Sequence, residues 1–583
     1  MAIDETRSQP ERTPWDDPEG PELGAGINFT DPDSPLSKYY FHTSHVVAVA
    51  LLGLFFLFLN FVPLWHTDIW GHLKYGQFIV QTGQLPEGNP FAPLMEESVP
   101  SNHYSWLSQT TFYLIYHVGE TIAGGDSVQQ MTGGIDALRF THAFLVLARM
   151  VLLLLVFYRI TNSMPVAIAG IVLMTLIGGG GLAIFRPQVL GELCFAIALF
   201  ALSRTKLTWA AVCWLPALMV LWANLHGSYA IGLILLALFV IGRTIETGRK
   251  LKTWKPKTLF KDATVYRLFI VFAASVLGIA ILNPAGPWIY LRTLAMTNHP
   301  VVLVMDEWKP LTFNSWTGGH WAYLATLVLV IGSVIYARQL PSVTAILITL
   351  FFATQPLIHQ RALVWWLLIF PWVMLPLWVK QPADFLIGWV PESTASFRKT
   401  MVAGALVVVI FLWSIPGQWI IAGKPSGLER SLSQGTPWKL TLALKNDDAK
   451  IEPRTPGLHS WLAKHYPDGR YQGNVFATET LGDYLVWDLP KESPVFVYAH
   501  VHMISPQHWN KVVKVRYGMK EWESILNESK INVIIVEAEQ NPYLRKRLQD
   551  SSQWEILLDE TGSTTIRDKR CRLLVAVRKE PIS

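Results

Sequence analysis

The chain has 583 residues, of which 51% are hydrophobic and only 16% are charged, with a mean hydropathy of +0.30. This composition excludes an ordinary soluble protein, because soluble domains carry about 25% charged residues. The net charge of +5 is small, and its basic residues cluster in one loop between apolar segments, so no nucleic-acid partner is expected. The three cysteines are isolated from one another and predict no disulfide framework.

The first 44 residues are polar and rich in acidic residues and proline, as in Thr13–Pro18. Such a segment buries too little apolar surface to fold, so 1–44 is predicted to be a disordered cytoplasmic tail. A cleavable signal would combine a basic start with an apolar centre near the terminus, and neither is present. The first apolar segment is therefore predicted to remain in the protein as a membrane span.

Apolar segments recur from residue 45 to residue 421, which predicts a membrane domain over 45–421. A spanning helix needs about 20 mainly apolar residues, and fewer are needed inside a bundle. The predicted spans, about eleven in number, are 45–65, 138–158, 164–185, 189–203, 209–223, 228–243, 265–283, 320–337, 341–357, 362–379 and 401–421. The sequence thus predicts an α-helical polytopic membrane protein.

Basic residues fix the predicted orientation, because lysine and arginine are enriched in cytoplasmic loops. With eleven spans they all fall on one side: Arg159, Arg204, Lys206, the loop 243–261, Arg338, Lys380, Arg398 and Lys399. The N-terminus is then cytoplasmic and the segment after Ala422 is extracytoplasmic. The predicted location is the plasma (inner) membrane of the cell, with membrane lipids as surroundings.

Two external regions are too long to be simple connections. The first loop, 66–136, contains Trp106–Val118, which is too short and too polar to span and is predicted to lie in the membrane interface. The second region, 422–583, has the polarity of a soluble domain. Its β-rich runs are Asn474–Phe476, Tyr484–Trp487, Pro494–Tyr498, Val533–Val536 and Leu573–Val577, and its helical runs are His459–His465 and Met519–Glu528. This alternation predicts a small extracytoplasmic α/β domain.

The polar residues of the apolar region converge near the external face in this topology. They are Asp68, His72, His103, Arg186, Asn224, His226, Asn283, Asp306, Glu307 and Arg361. Asp68 follows the first span and shares a helix face with His72, four residues later. Its carboxylate either acts as a general base toward an acceptor hydroxyl or holds a divalent cation, Mg²⁺ or Mn²⁺; the alternative is a solvated helix cap.

The other candidates each have a functional and a structural interpretation. Arg186 and Arg361 either grip a phosphate or extend to the membrane interface. Asn224 and His226 either bind sugar hydroxyls or cap helix ends. Asp306 and Glu307 either complete a cation site with Asp68 or lie in a hydrated loop.

The pair His500 and His502 suggests a metal site, but no cysteine or acidic pattern completes a ligand set. A surface strand is the favoured interpretation for these two histidines.

Several short motifs resemble the GT-C superfamily of membrane glycosyltransferases, in particular a poorly characterised bacterial group related to protein mannosyltransferases and oligosaccharyltransferases. They begin with Asp68, then Trp70–Gly76 and a turn ending in Asn89-Pro90-Phe91. The further matches are His103–Leu107, Arg186–Gln188, Trp222–Ser228, Asn283–Gly286, Glu307-Trp308 and Gly482–Trp487. The resemblance covers nearly the whole chain after the tail.

The resemblance implies a GT-C-like bundle whose first external loop holds two interfacial helices and the catalytic carboxylate, carried over to Asp68. It also implies hexosyl or pentosyl transfer in the cell envelope, from a sugar on a polyprenyl phosphate to a glycan, lipid or protein acceptor. Two departures are present: Thr67 and Ile69 flank Asp68 where many members have a second acidic residue, and Tyr498–His502 replaces an acidic and basic pair. A non-catalytic subunit or scaffold of a larger membrane complex and a transporter stay open as alternatives.

Overall fold

The computed structural model of the chain describes residues 37–65, 68–96, 105–182, 184–312, 319–379, 394–447, 455–566 and 568–582. The predicted tail lies outside the described residues as far as residue 36. Its last part forms a 3-10 turn at Ser37–Tyr39, and the first long helix begins at Thr43.

Apolar helices account for most of the described chain before residue 423. Six are long and apolar enough to cross a membrane: Thr43–Phe61, Ser127–Thr161, Tyr229–Leu251, Ala263–Leu282, His320–Ala337 and Gln360–Val379. The pair Phe397–Trp413 and Ile415–Ala422, bent by 67°, is a seventh candidate. Four shorter apolar helices are Met164–Gly179, Gln188–Leu202, Trp209–Leu225 and Val343–Ile358.

Every predicted span therefore coincides with a helix or with the bent pair. A helix rises 1.5 Å per residue, so the shorter ones fall short of a hydrocarbon core roughly 30 Å thick. The polytopic helical architecture is confirmed, whereas the count of eleven crossings stays a prediction.

Polar side chains fix where several of these helices begin. Asp126, Thr208, Asp262, Ser342 and Ser396 each precede a helix and accept a backbone N–H from its first turn. Such caps satisfy donors that have no partner within the helix. They occur at the charged or polar boundaries between apolar segments, where the sequence predicted the loops.

The first loop contains two helices, the first loop helix Asp68–Thr82 and the second loop helix Trp106–Ala123. They pack on each other, and the second also packs on Ser127–Thr161. The first loop helix also contacts helix Glu479–Asp488 of the C-terminal region, where the rings of Trp70 and Tyr484 lie 5.0 Å apart. The predicted pair of helices is thus present, and the predicted segment Trp106–Val118 continues to Ala123.

Short helices fill the connections between the later membrane helices, at Pro256–Leu259, Trp288–Thr297 and Pro300–Leu303. Two 3-10 turns, Asp306–Trp308 and Gln360–Ala362, lie side by side. The Gln360 N–H donates to the Lys309 carbonyl at 2.9 Å, and His359 Nδ1 lies 2.7 Å from the Trp308 carbonyl oxygen. These bonds bring two sequence-distant turns together at one end of the helix bundle.

The C-terminal region is built on a four-stranded sheet. Its strands are β1 (Asn474–Ala477), β2 (Ile531–Glu537), β3 (Trp554–Asp559) and β4 (Leu573–Arg578), in the order β1-β2-β4-β3. The β1 and β2 pair is parallel, and the other two pairs are antiparallel. Strands β2 and β4 are buried along their whole length, so apolar side chains cover both faces of the sheet.

Helices cover both faces of this sheet and connect its strands. They are Trp438–Lys445, Pro456–His465, Glu479–Asp488, Pro506–Arg516, Trp522–Glu528 and Pro542–Asp550. The short helix Leu428–Ser431 packs instead on Ser127–Thr161. Two short 3-10 turns lie at Val501–Met503 and Lys569–Cys571.

Two of the predicted strands were wrong and one strand was missed. Tyr484–Trp487 belongs to helix Glu479–Asp488, and Pro494–Tyr498 forms only an isolated bridge between Val495 and Val475. Strand β3 had no prediction. A four-residue apolar run has the same composition in a buried helix and in a strand, so periodicity does not separate them.

Candidate functional site

A cavity of about 350 Å³ lies where the helix bundle meets the C-terminal region. Its walls come from the two loop helices, from the adjacent turns near residues 306 and 361, and from the segment 499–503 of the C-terminal region. Five sequence-predicted binding residues line it: Asp68, His72, Arg186, His226 and Arg361. Asp306 and Glu307 line it as well.

A chain of charges runs along one wall of this cavity. Arg186 Nη1 donates to Glu307 Oε2 at 2.8 Å, and Arg361 Nη1 donates to Glu307 Oε1 at 2.8 Å. Arg186 Nε also lies 4.0 Å from Asp68 Oδ2. We call Arg186, Glu307 and Arg361 the Arg–Glu–Arg cluster; it brings both predicted arginines to one point beside Asp68.

The ionisation of this cluster follows from its mutual contacts. Burial lowers the pKa of Arg186, but the charges of Asp68 and Glu307 outweigh burial and raise that pKa above its ordinary value. Burial raises the pKa of Glu307, but Arg361 and Arg186 outweigh burial and hold it below its ordinary range. Arg186 and Glu307 are therefore both charged near neutral pH.

The Arg–Glu–Arg cluster also borders a second space. A groove of about 540 Å³ on the side of the membrane helices is lined by the three cluster residues together with apolar side chains such as Ile177, Val364 and Leu367. The groove also contains the polar residues Gln188, Glu192 and Gln360. The cluster therefore lies between the cavity and the groove, and its members line both.

His226 follows helix Trp209–Leu225 and presents its imidazole to the cavity. The Ser228 N–H and the Ser228 hydroxyl both lie within hydrogen-bonding distance of His226 Nδ1, at 3.1 and 2.8 Å. Because a backbone N–H only donates, Nδ1 is unprotonated and the neutral ring carries its proton on Nε2. Burial, with the charges of Arg361 and Arg186, lowers the pKa of His226 to about 3.

Asn224 has a different environment from its neighbour His226. Its Oδ1 accepts hydrogen bonds from Trp106 Nε1 at 2.8 Å and from Asn283 Nδ2 at 3.2 Å. Its Nδ2 donates to the Val220 carbonyl at 2.8 Å. The side chain does not line the cavity; it joins two helix ends and holds Trp106, which does.

His72 lies one turn after Asp68 on the first loop helix and faces the same cavity. The Gln109 amide nitrogen is 3.3 Å from His72 Nδ1. Burial, followed by the neighbouring imidazole of His500, lowers the pKa of His72 well below its ordinary value. The third predicted histidine, His103, lies outside the described residues.

The three carboxylates predicted to share a cation are not gathered around one point. Asp306 is exposed and pairs with Lys309 Nζ at 2.6 Å, while Glu307 accepts from two arginines. Within the described ranges, no group of three or more histidine, cysteine, aspartate or glutamate side chains is placed to hold a metal ion. The cation site at Asp68, Asp306 and Glu307 stays a prediction.

The C-terminal region contributes two histidines to the cavity that the sequence placed on a surface strand. His500 and His502 line the cavity, and His500 is only 5% exposed. The predicted surface strand was wrong: His500 is buried and precedes the 3-10 helix Val501–Met503, which contains the half-buried His502. The sequence feature that could have pointed to them is the departure from the family pattern at Tyr498–His502. A changed polar motif in a segment that otherwise resembles the family indicates that its contacts differ.

No protein-family model matches the chain, and no curated protein matches it. The fold is similar to the crystal structure of the apo oligosaccharyltransferase from Archaeoglobus fulgidus, with a TM-score of 0.50 and 12% sequence identity. The match covers 86% of this chain and 70% of that chain. At this identity the similarity supports a GT-C-like membrane fold, and the narrower group of relatives suggested by the motifs stays a prediction.

Proposed function

We propose that this protein is a GT-C-type glycosyltransferase that moves a sugar from a polyprenyl-phosphate carrier to an extracytoplasmic acceptor. The observation that carries the proposal is the position of the Arg–Glu–Arg cluster between the groove along the membrane helices and the cavity beside the C-terminal region. A lipid-linked sugar has an apolar chain, a phosphate and a polar sugar in that order. The groove, the cluster and the cavity match these three parts in the same order.

The arginines are suited to the phosphate. Each guanidinium has five N–H donors in a planar fork, and the bond to Glu307 uses Nη1 of each. Beyond Nη1, the Arg361 guanidinium has further N–H donors for a phosphate at the cluster. In the transfer step the bond between the anomeric carbon and the phosphate oxygen breaks, and the carrier phosphate leaves with the electron pair. Two positive charges beside the leaving oxygen stabilise the charge that develops there.

Asp68 stands between the phosphate side and the open cavity, 4.0 Å from Arg186. From this place its carboxylate reaches toward an acceptor and either takes a proton or positions a cation. His72 and His226 line the same cavity and can hydrogen-bond sugar hydroxyls. The GT-C-like fold supports the same reading, because the solved structure that it resembles is that of an oligosaccharyltransferase.

The test begins with the lipid. Protein purified from its native membrane in nanodiscs should carry a polyprenyl phosphate or its glycosylated form, identified by mass spectrometry. The Arg361→Gln variant should lose most of this lipid, because it lacks one of the two arginines proposed to bind the phosphate. Arg243→Gln is the matched control, since Arg243 lies on helix Tyr229–Leu251 and pairs with Glu246 at 3.2 Å, away from the cavity.

Activity is then measured with radiolabelled polyprenyl-phosphate hexose and pentose, using a detergent extract of the native membrane as acceptor, with and without EDTA. Transfer of label by the wild type and loss in Arg361→Gln support the proposal, and the EDTA arm decides metal dependence. A wild-type protein that binds no polyprenyl phosphate and transfers no sugar would instead favour the non-catalytic scaffold.

A further inference from the structure

A buried carboxylate of the C-terminal region faces the cavity wall. Asp483 is fully buried, and its Oδ1 accepts the Ala499 N–H at 2.6 Å. Its Oδ2 accepts the Gly71 N–H from the first loop helix at 3.2 Å and lies 3.6 Å from His500 Nδ1. Burial raises the pKa of Asp483, and hydrogen bonds from His500 and from the Ala499 backbone oppose that shift.

Gly71 lies where the first loop helix meets the C-terminal region, and a larger residue does not fit there. A Cβ atom on Gly71 would lie 2.5 Å from Asp483 Oδ2 and 2.7 Å from His500 Nδ1. Both distances are closer than such atoms approach, so any larger residue displaces the pair. The first loop helix is thus shaped to receive the Asp483–His500 pair.

The other nitrogen of His500 is a buried polar atom. His500 is 5% exposed and lines the cavity, and its Nε2 has no hydrogen-bond partner among the residues that the structure describes. A buried polar atom without a partner is costly unless water or a ligand satisfies it. A cavity-lining nitrogen of this kind indicates a binding position.

Four described imidazoles line the cavity, and three of them, His226, His72 and His500, differ in what they offer. His226 accepts at Nδ1 and so turns an N–H toward the cavity, and His72 has an amide donor beside its Nδ1. His500 faces a carboxylate with Nδ1. An ionised carboxylate only accepts, so this contact favours a proton on Nδ1 of His500 and a lone pair on Nε2.

We propose that His500 is the base that receives the proton of an acceptor hydroxyl, and that Asp483 positions it. This inference rests on the proposed function and names the acceptor side of the same site. The acceptor oxygen bonds to the anomeric carbon, the carrier phosphate departs with the bonding electrons, and the acceptor proton passes to Nε2 of His500. Asp68 then orients the acceptor or a cation beside Arg186.

Aromatic rings and one carboxylate surround the His500 imidazole. The rings of His72 and Tyr75 lie 4.6 and 5.1 Å from its ring, and those of Tyr498 and His502 lie 5.5 and 5.8 Å away. The charged group that contacts His500 is Asp483, whose Oδ2 lies 3.6 Å from Nδ1. An oriented imidazole next to a carboxylate is a common general base toward hydroxyl groups.

Two substitutions separate the two ring nitrogens. In His500→Asn the amide nitrogen stands where Nδ1 is and keeps the contact with Asp483, but nothing replaces Nε2. In His500→Gln the amide oxygen reaches the place of Nε2, so it accepts a hydrogen bond but takes no proton. His508→Gln is the matched control, because His508 is a buried histidine of the same region whose Nε2 bonds the Phe496 carbonyl outside the cavity.

The experiment measures binding and transfer with one probe, radiolabelled farnesyl-phosphate hexose, using the membrane extract as acceptor. All variants should bind the donor probe within about twofold of wild type. His500→Asn should lower transfer by about 100-fold or more, the scale of losing a general base. His500→Gln should keep the acceptor KM within a few fold, lower kcat by about 100-fold and lose the acidic limb of the pH profile, while His508→Gln behaves as wild type.

Each outcome decides the inference. Normal transfer by His500→Asn with intact donor binding overturns the role of His500 and leaves the proposed function standing. Failure of the wild type to bind the donor probe overturns both. Loss of donor binding in both His500 variants identifies a residue needed for folding and also overturns the inference.

Discussion

The two sides of the cavity differ in how they carry charge. On the side of the membrane groove, the Arg–Glu–Arg cluster joins three charged groups within 2.8 Å contacts. On the side of the C-terminal region, His72 and His500 pack edge-to-face with their ring centroids 4.6 Å apart, and Asp483 accepts backbone N–H groups. The first side has an ion-pair cluster, and the second has histidines beside one buried carboxylate.

This difference matches the two halves of a sugar transfer. A leaving phosphate gains negative charge, so permanent positive charges stabilise it. An acceptor hydroxyl must lose a proton, so a group that can change its protonation is needed on its side. The comparison also indicates that salt and pH should affect the two sides differently.

The first prediction tests the orientation of the protein in the membrane, which is predicted to place the C-terminal region and the basic loop 243–261 on opposite sides. In a protein whose native cysteines are replaced, single cysteines at Asp447 and Lys255, both exposed, should react oppositely with a membrane-impermeant thiol reagent in intact cells. Asp447→Cys should be labelled and Lys255→Cys should not, because the basic loop is predicted to be cytoplasmic. Labelling of the Lys255 position alone would reverse the orientation.

The second prediction concerns the boundary between the two sides. Asp68→Asn should keep the fold and the donor affinity but lower turnover by about 100-fold or more, because the amide carries no charge to orient the acceptor or hold a cation. Donor binding and steady-state transfer are measured on the same preparation. Unchanged turnover would remove Asp68 from the mechanism.

The third prediction separates the arginines from the carboxylate between them. Arg361→Gln should weaken binding of a polyprenyl-phosphate donor by about 10- to 100-fold, since a charged hydrogen bond contributes roughly 1.5–3 kcal/mol. Glu307→Gln should bind the donor at least as tightly as wild type, because both guanidiniums are released from their pairing. Equal weakening by both substitutions would mean that the cluster is only structural.

The fourth and smallest effect is a pH dependence of the protein's stability that arises from His226. His226 has a pKa of about 3 in the folded protein against an ordinary value of 6.5, so the unfolded chain binds more protons between these values. Stability is therefore full above about pH 6.5 and falls as the pH drops below it, by at most about 1.4 kcal/mol per pH unit for one histidine. Glu307, whose pKa lies below its ordinary 4.5, loses its contribution only in stronger acid.

Thermal unfolding in detergent at pH 7.5, 6 and 5 measures this effect. The wild-type midpoint should fall over this range, and His226→Gln should reduce the fall. An identical slope in the two proteins would show that the His226 imidazole does not remain neutral in the folded state.

The sequence by itself determined the helices and one side of the site. Long apolar segments and polar caps are local properties, so the helix positions could be predicted from hydropathy alone. Asp68, Arg186 and Arg361 stand out because ionisable groups at the ends of apolar segments are costly and need a polar environment. From the sequence alone, these residues indicate the part of the site that we propose binds the phosphate.

The tertiary structure decided the partners. Glu307 bonds arginines 121 and 54 positions away, and Asp483 receives the N–H of a glycine 412 positions away. No local pattern indicates such pairs, because the hydrogen bonds form only after helices and sheet have packed. For the same reason the run Tyr484–Trp487 was assigned to a strand: whether a short apolar run forms a helix or a strand depends on the surface that covers it.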